Sequence, residues 1–135
     1  MSMNSVLDAS AILAWILREP GSERVRELMA TGNCLLSAVN AAEIITKLAD
    51  KDRPETALRQ VIAHIGAECL PFDAAQATEA GLLRPLTRHL GLSLGDRACL
   101  ALARLHGGTV ITADRPWLQL AEPLGLSIEC IRPPS

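Results

Sequence analysis

Short apolar runs, each four or five residues long, recur along the chain, and a longer helix-forming stretch follows most of them. They predict strands at residues 5–8, 34–37, 68–71, 109–112 and 127–131. Apolar strands that alternate with helices are typical of a parallel sheet covered on both faces. The sequence therefore predicts an α/β fold, and in such folds ligands bind beyond the carboxyl ends of the strands.

The segments between these runs predict helices. Their expected ranges are 11–17, 22–30, 39–49, 54–65, 73–86 and 93–105, with a further short helix after Pro116. Asp73 is expected to cap the helix that follows it. The segment 93–105 is apolar nearly all round, so we expect that helix to lie near the centre of the fold.

The length of 135 residues predicts a single domain over residues 1–135. Hydrophobic residues make up 49% of the chain and charged residues 21%, which excludes a disordered chain. The longest apolar run, residues 11–17, is far shorter than the roughly 20 residues that a membrane span needs. The first four residues, Met-Ser-Met-Asn, contain no basic region of a secretory signal, so we expect a cytoplasmic protein with no membrane partner.

Charge and aromatic content limit how this chain could bind a nucleic acid. The net charge is −2, so no general basic field attracts a polyanion. Aromatic residues make up 2%, too few for a base-stacking platform. The four cysteines lack zinc-finger spacing, and we expect them to be core thiols. A polyanionic substrate would therefore need a local site or metal ions.

Two predicted strands end in similar ways. Val6-Leu7 leads into Asp8, and Val110-Ile111-Thr112 leads through one alanine into Asp114. Carboxyl ends of parallel strands share one edge of the sheet, so we expect both carboxylates there. The alternative is that each aspartate only caps a helix or forms a turn.

Two further carboxylates lie on predicted helices. Glu43 belongs to a polar stripe with Asn40 and Lys47 on an otherwise apolar helix, and the alternative is a solvent-exposed ion pair with Lys47. Asp96 opens the apolar helix 93–105, and the alternative is a capping box with Ser93.

Four carboxylates on four separate elements favour a cation site if they come together. Clustered carboxylates repel one another and raise each other's pKa unless a cation lies between them. Oxygen ligands without histidine or cysteine suit Mg²⁺ or Mn²⁺, and such ions assist phosphoryl chemistry.

The same residues carry a resemblance to a known family. The motifs are Val-Leu-Asp8-Ala-Ser10-Ala, Glu43 on the third helix, Leu-Ser-Leu-Gly-Asp96 and Thr112-Ala-Asp114-Arg. In this order and spacing, over essentially the whole chain, they resemble the PIN domain, in particular the VapC type of toxin nuclease. The resemblance implies a three-layer α/β/α sandwich with a central parallel sheet. It also implies RNA cleavage dependent on Mg²⁺ or Mn²⁺, a homodimer, and an antitoxin that occupies the active-site groove.

The resemblance also assigns roles to individual residues. Asp8, Glu43, Asp96 and Asp114 match the acidic quartet that binds metal and performs catalysis. Ser10 and Thr112 match accessory hydroxyl positions. Some relatives have another acid after the fourth one, where this chain has Arg115 and Pro116.

Arg97 and Arg115 directly follow two of these acids, so we predict that they contact the substrate phosphates. Local salt bridges are the alternative for both.

The leading hypothesis is a metal-dependent endoribonuclease that acts as the toxin of a toxin–antitoxin pair. One alternative is a PIN-like module that has lost catalysis and only binds partners. Another is a receiver-type signalling domain, which needs an adjacent acidic pair after strand one and a lysine late in the chain. Here Asp8 follows Leu7, and the only lysines are Lys47 and Lys51.

Overall fold

The computed structural model describes residues 3–134. The strands are β1 (Ser5–Leu7), β2 (Cys34–Ser37), β3 (Glu68–Leu70), β4 (Thr109–Thr112) and β5 (Ser127–Cys130). The α-helices are α1 (Ala9–Ile16), α2 (Ser22–Ala30), α3 (Ala38–Asp50), α4 (Glu55–Leu58), α5 (Val61–His64), α6 (Ala74–Leu82), α7 (Arg84–Thr87), α8 (Leu94–His106) and α9 (Ala121–Leu124). Arg88–Leu90 and Arg115–Leu120 form 3₁₀-helices.

All five strands belong to one parallel sheet with the order β3-β2-β1-β4-β5. The chain builds the sheet outward from β1 to β3, then returns to the other side of β1 for β4 and β5. The strand order therefore reverses between β1 and β4. A crevice opens at such a reversal, beyond the carboxyl ends of the two strands.

Successive residues of each central strand contribute to two different cores. Val6 packs with residues of α6, α8 and α9 on one face of the sheet. Leu7 packs with residues of α1, α2 and α3 on the other face. This alternation follows from the two-residue period of a strand. The predicted three-layer α/β/α fold with a central parallel sheet is confirmed.

Two helices that we expected to be continuous are divided. The segment 73–86 forms α6 and α7, because Pro85 has no N–H to donate to the carbonyl four residues earlier. The segment 54–65 forms α4 and α5, and neither contains a buried residue. Only Leu58 and Val61 of these two helices are partly buried against the core, and so little burial gives a longer helix little stability there.

Among residues 3–134, no helix is both long enough and apolar enough to span a bilayer.

We predict that two leucines of α8 differ sharply in their contribution to stability. Leu102 is fully buried, whereas Leu105 is 47% exposed. Leu102→Ala should lower the free energy of unfolding by about 2–5 kcal/mol through the cavity that it leaves. Leu105→Ala, the matched control, should change it by less than about 0.5 kcal/mol. Urea denaturation measures both, and equal losses would contradict the described packing of α8.

Candidate functional site

A cavity of about 200 Å³ lies at the point where the strand order reverses. Its lining residues are Asp8, Ala9, Ser10, Leu13, Glu43, Lys47, Asp96, Asp114 and Trp117. The four predicted acids are all among them. They come from the ends of two strands and from two helices, so the fold brings together residues that are more than 100 positions apart.

Asp8 is fixed by four hydrogen bonds. It is only 4% exposed, and its Oδ1 accepts from the backbone N–H of Ala11 at 2.8 Å, which caps α1. The Thr112 hydroxyl donates to its Oδ2 at 2.6 Å. The Ser10 hydroxyl donates to its two oxygens at 2.8 and 2.9 Å. Asp8 therefore caps a helix and also presents its carboxylate to the cavity.

The two hydroxyls connect Asp8 to the segment that follows β4. Ser10 Oγ accepts from the N–H of Ala113 at 2.9 Å, and Thr112 Oγ1 accepts from the N–H of Asp114 at 3.0 Å. Each hydroxyl therefore accepts from the backbone and donates to Asp8. This arrangement fixes Asp114 relative to Asp8.

Burial raises the pKa of Asp8 to about 6 from its ordinary value of 3.8. The hydrogen bonds from Thr112, Ala11 and Ser10 oppose this rise, and the charge of Asp96 adds to it. A buried anion is costly unless it is paired, so this carboxylate favours a proton or a cation.

Asp96 takes part in a capping box at the start of α8. Its Oδ2 accepts from the N–H of Ser93 at 3.0 Å, and the Ser93 hydroxyl accepts from the N–H of Asp96 at 3.2 Å. The capping alternative is therefore correct, but it does not remove Asp96 from the cavity, because the same side chain lines it.

Glu43 is held by an amide rather than by a lysine. Asn40 Nδ2 donates to Glu43 Oε1 at 2.8 Å and to the carbonyl of Gly95 at 3.0 Å. The alternative, a Glu43–Lys47 ion pair, is not formed: within residues 3–134 no carboxylate lies within 4.0 Å of the Lys47 ammonium. Lys47 instead lines the same cavity as Glu43.

Asp114 is the most accessible of the four acids. It is exposed, and its side chain makes no capping hydrogen bond to the 3₁₀-helix that follows. The capping alternative therefore fails at this position.

The two predicted phosphate contacts do not line the cavity. Arg97 donates from Nη1 to the carbonyl of Ala80 on α6 at 3.0 Å, and its Nε is buried without a partner. Arg115 donates to the carbonyl of Arg132 near the C-terminus. Neither makes the alternative salt bridge in the part of the chain that the structure describes.

The donor chemistry of the cavity suits a hard cation, although the side chains are not gathered around one point. Within residues 3–134, no three His, Cys, Asp or Glu side chains lie close enough together to hold a metal ion. Oxygen donors are nevertheless the only metal-ligating side chains in the lining. Asp114 is exposed, so its side chain can change rotamer toward a cation, whereas the partly exposed Glu43 is held by Asn40.

Beneath the cavity, α8 carries a thiol that responds to the same charges. Burial raises the pKa of Cys99 well above its usual value, and the charges of Asp8, Asp96 and Glu43 raise it further. These three carboxylates therefore act on a common region of the core.

Sequence reasoning missed three residues of this region. It used Lys47 only as an ion-pair partner, Asn40 only as part of a polar stripe, and Gly95 only as part of a motif. The spacing of Lys47 four residues after Glu43 signalled a shared helix face. Nothing in the sequence indicated that Asn40 contacts Gly95, since that contact joins two helices 55 positions apart.

We predict that Asp8→Asn stabilises the metal-free protein above pH 6. The folded-state pKa is raised, so the charged form destabilises the fold increasingly as pH rises from about 4 through 6. A shift of about two pKa units corresponds to at most about 3 kcal/mol. Asparagine still offers an acceptor oxygen to Ala11. Urea denaturation in EDTA at pH 5 and pH 8 should show the larger gain at pH 8, and an equal difference at both pH values would be the contrary result.

The comparisons with known proteins agree with this architecture. The family model of the PIN domain matches residues 5–123. No curated protein sequence matches the chain.

Three solved structures illustrate the fold. VapBC from Salmonella typhimurium, bound to DNA, is 22% identical, with a TM-score of 0.70 over 96% of this chain and 99% of that chain. A toxin–antitoxin complex from Klebsiella pneumoniae is 18% identical, with a TM-score of 0.71 over 95% and 98%. FitAcB from Neisseria gonorrhoeae is 22% identical, with a TM-score of 0.68 over 94% and 97%. At these identities the likeness shows a shared fold, and the family model, which spans most of the chain, shows that the protein belongs to the PIN domain family.

Proposed function

We propose that this PIN-domain protein is a metal-dependent endoribonuclease and the toxin of a toxin–antitoxin pair. The observation that carries the proposal is the single cavity lined by Asp8, Glu43, Asp96 and Asp114. The family assignment supports nuclease chemistry at such a cavity, and the likeness to a toxin–antitoxin complex supports the role of a toxin.

The four carboxylates are the residues that would hold Mg²⁺ or Mn²⁺. Asp8 is already oriented by its hydrogen bonds, and burial raises the pKa of its carboxyl group, so a bound cation would offset the cost of its negative charge. Asp96 has one carboxylate oxygen outside its capping box. When bound there, the ion would polarise a phosphoryl oxygen and lower the pKa of a water molecule.

The chain's own residues position these carboxylates. Ser10 and Thr112 donate to Asp8 and keep it from rotating away from the cavity. Trp117 is 1% exposed and forms part of the cavity wall, where it excludes water from one side.

Lys47 is the cation that we propose for contact with RNA phosphate. It is exposed, it lines the cavity, and no carboxylate among residues 3–134 neutralises it. Arg97 and Arg115 are less suited to this role, because both guanidinium groups donate to backbone carbonyls.

The partners remain part of the proposal. An antitoxin protein is proposed as the partner that controls the cavity, by analogy with the toxin–antitoxin complex from Klebsiella pneumoniae. A homodimer in the cytoplasm is proposed as well.

The fold bears on one of the two alternative functions, the receiver domain, but not on the other, the inactive binding module. A receiver domain of the flavodoxin-like class has the strand order 2-1-3-4-5, whereas this sheet has the order β3-β2-β1-β4-β5, so that alternative is wrong. A catalytically inactive binding module has the same fold as an active nuclease, and the experiment below separates the two.

We predict that Asp8→Asn and Asp96→Asn each reduce RNA cleavage by about 10³-fold or more. Each change removes a negative charge that holds the cation, and the acids act as one unit. The double variant should therefore be little worse than either single variant. The measurement is the cleavage rate of a mixed RNA pool in Mn²⁺ or Mg²⁺, with EDTA as the blank and far-UV circular dichroism to verify folding.

Asp73→Asn is the matched control. The Asp73 side chain accepts from the N–H of Gln76 at 2.9 Å at the start of α6, and asparagine caps about as well as aspartate. It should keep full activity. Undiminished cleavage in Asp96→Asn that also resists EDTA would remove the metal-nuclease proposal and favour the binding module.

We also predict that Mn²⁺ or Mg²⁺ raises the melting temperature of the protein. A ligand at 100 times its Kd stabilises the folded state by about 2.7 kcal/mol. Asp8→Asn should lose most of this shift. A melting curve unchanged by 10–20 mM of either ion, chosen as about the highest useful test concentration, would contradict a metal site of functional affinity.

A further inference from the structure

We propose that Gly95 and Asn40 are positioning residues that hold the Glu43 carboxylate against the first turn of α8. The inference deepens the proposed function and rests on it, since Glu43 is one of the four acids of the cavity. Neither Gly95 nor Asn40 lines the cavity itself.

The close approach of Glu43 requires glycine at position 95. A Cβ atom built on Gly95 would overlap Oε1, Oε2 and Cδ of Glu43, and these are its three nearest atoms. Glu43 belongs to α3 and Gly95 to α8, so the absence of a side chain lets the carboxylate of one helix lie on the backbone of the other.

The backbone of Gly95 gives no other reason for glycine. Gly95 lies in the first turn of α8 and does not adopt a positive φ, unlike Gly91, which ends the preceding 3₁₀-helix at φ 64°. Alanine is a better helix former than glycine at such a position. Glycine at position 95 therefore makes α8 less stable than alanine would. The space without a side chain is occupied by the carboxylate of Glu43.

Asn40 fixes the orientation of the same carboxylate. It is 1% exposed, and its Nδ2 uses both hydrogens, one for Glu43 Oε1 and one for the carbonyl of Gly95. Its Oδ1 is buried and has no hydrogen-bond partner among residues 3–134. An unpaired buried acceptor is unfavourable, so the two hydrogen bonds that Nδ2 donates must outweigh that cost. They connect the Glu43 carboxylate on α3 to the backbone of α8, and we call this arrangement the clamp.

This clamp places the negative charge at a favourable point. The first turn of α8 carries the partial positive charge of a helix N-terminus, and Asp96 lies in the same turn. Holding Glu43 there brings two of the acids together before any cation arrives. Displacing Glu43 should therefore weaken cation binding without removing a ligand.

The test is Gly95→Ala, with Gly81→Ala as the matched control. Gly81 lies in α6, has no positive φ, and a Cβ there would meet no atom within 4 Å. Gly95→Ala should weaken Mn²⁺ binding, measured by calorimetry, by about 10–100-fold, as loss of a group that orients a ligand does. RNA cleavage at fixed Mn²⁺ should fall, and raised Mn²⁺ should restore part of it. Gly81→Ala should alter neither quantity.

A second measurement needs no metal. In EDTA, Gly95→Ala should leave the melting temperature unchanged or lower it. In the Glu43→Ala background the obstructing carboxylate is gone, so the same change should raise the melting temperature by about 2–4 °C. This non-additivity is the signature of direct contact between positions 43 and 95.

The two measurements separate the possible failures. Equal Mn²⁺ affinity in Gly95→Ala and the unchanged protein would overturn the positioning role, and so would additive melting shifts. If the unchanged protein binds no Mn²⁺ but the shifts are non-additive, the contact is upheld and the proposed metal-dependent function fails. Asn40→Ala should weaken Mn²⁺ binding in the same direction as Gly95→Ala, and unaltered affinity in Asn40→Ala would overturn the role of the amide.

Discussion

The hydrogen bonds of the buried Asp8 carboxylate connect the parts of the structure on which the candidate site depends. Asp8 directly follows β1, caps α1, and accepts from Thr112 at the end of β4. Because β1 and β4 flank the reversal of strand order, these bonds hold the crevice in one shape. The hydroxyls of Ser10 and Thr112 extend the same network to the backbone that carries Asp114. These hydrogen bonds thus hold the Asp8 carboxylate, whose charge is costly to bury, at the cavity.

Structural and functional roles coincide at two of the four acids. Asp8 caps α1 and Asp96 forms a capping box, yet both line the cavity. A carboxylate that caps a helix has a fixed rotamer, which is useful for a side chain that must meet a cation in one geometry. At these two positions, capping a helix and belonging to the candidate site are therefore not mutually exclusive. Among residues 3–134, Glu43 forms no ion pair with Lys47, and Asp114 accepts from the N–H of Trp117 through its backbone carbonyl while its side chain makes no cap.

The placement of Asp8 and Asp114 could be predicted from sequence because it depends on local pattern and one general rule, whereas Glu43 and Asp96 were assigned to the same site through the resemblance to the PIN domain. Apolar strands that end in Asp8 and Asp114 must point to one edge of a parallel sheet. The division of helix 73–86 was not predicted, although Pro85 in the sequence signals it. Contacts between elements that are distant in the sequence could not be predicted. The bond from Asn40 to Gly95, and that from Arg97 to Ala80, depend on how helices pack, and no periodicity reports them.

The buried thiol of Cys99 has a consequence for handling and probing this protein. Thiolates, not thiols, react with alkylating agents and oxidants. Because Cys99 is fully buried and its pKa is raised, its thiol is unreactive toward these reagents in the folded state. Its reaction with an alkylating reagent would require α8 to separate from the sheet. The rate at which this thiol reacts would therefore report how often the core around α8 opens, with no label introduced into the protein.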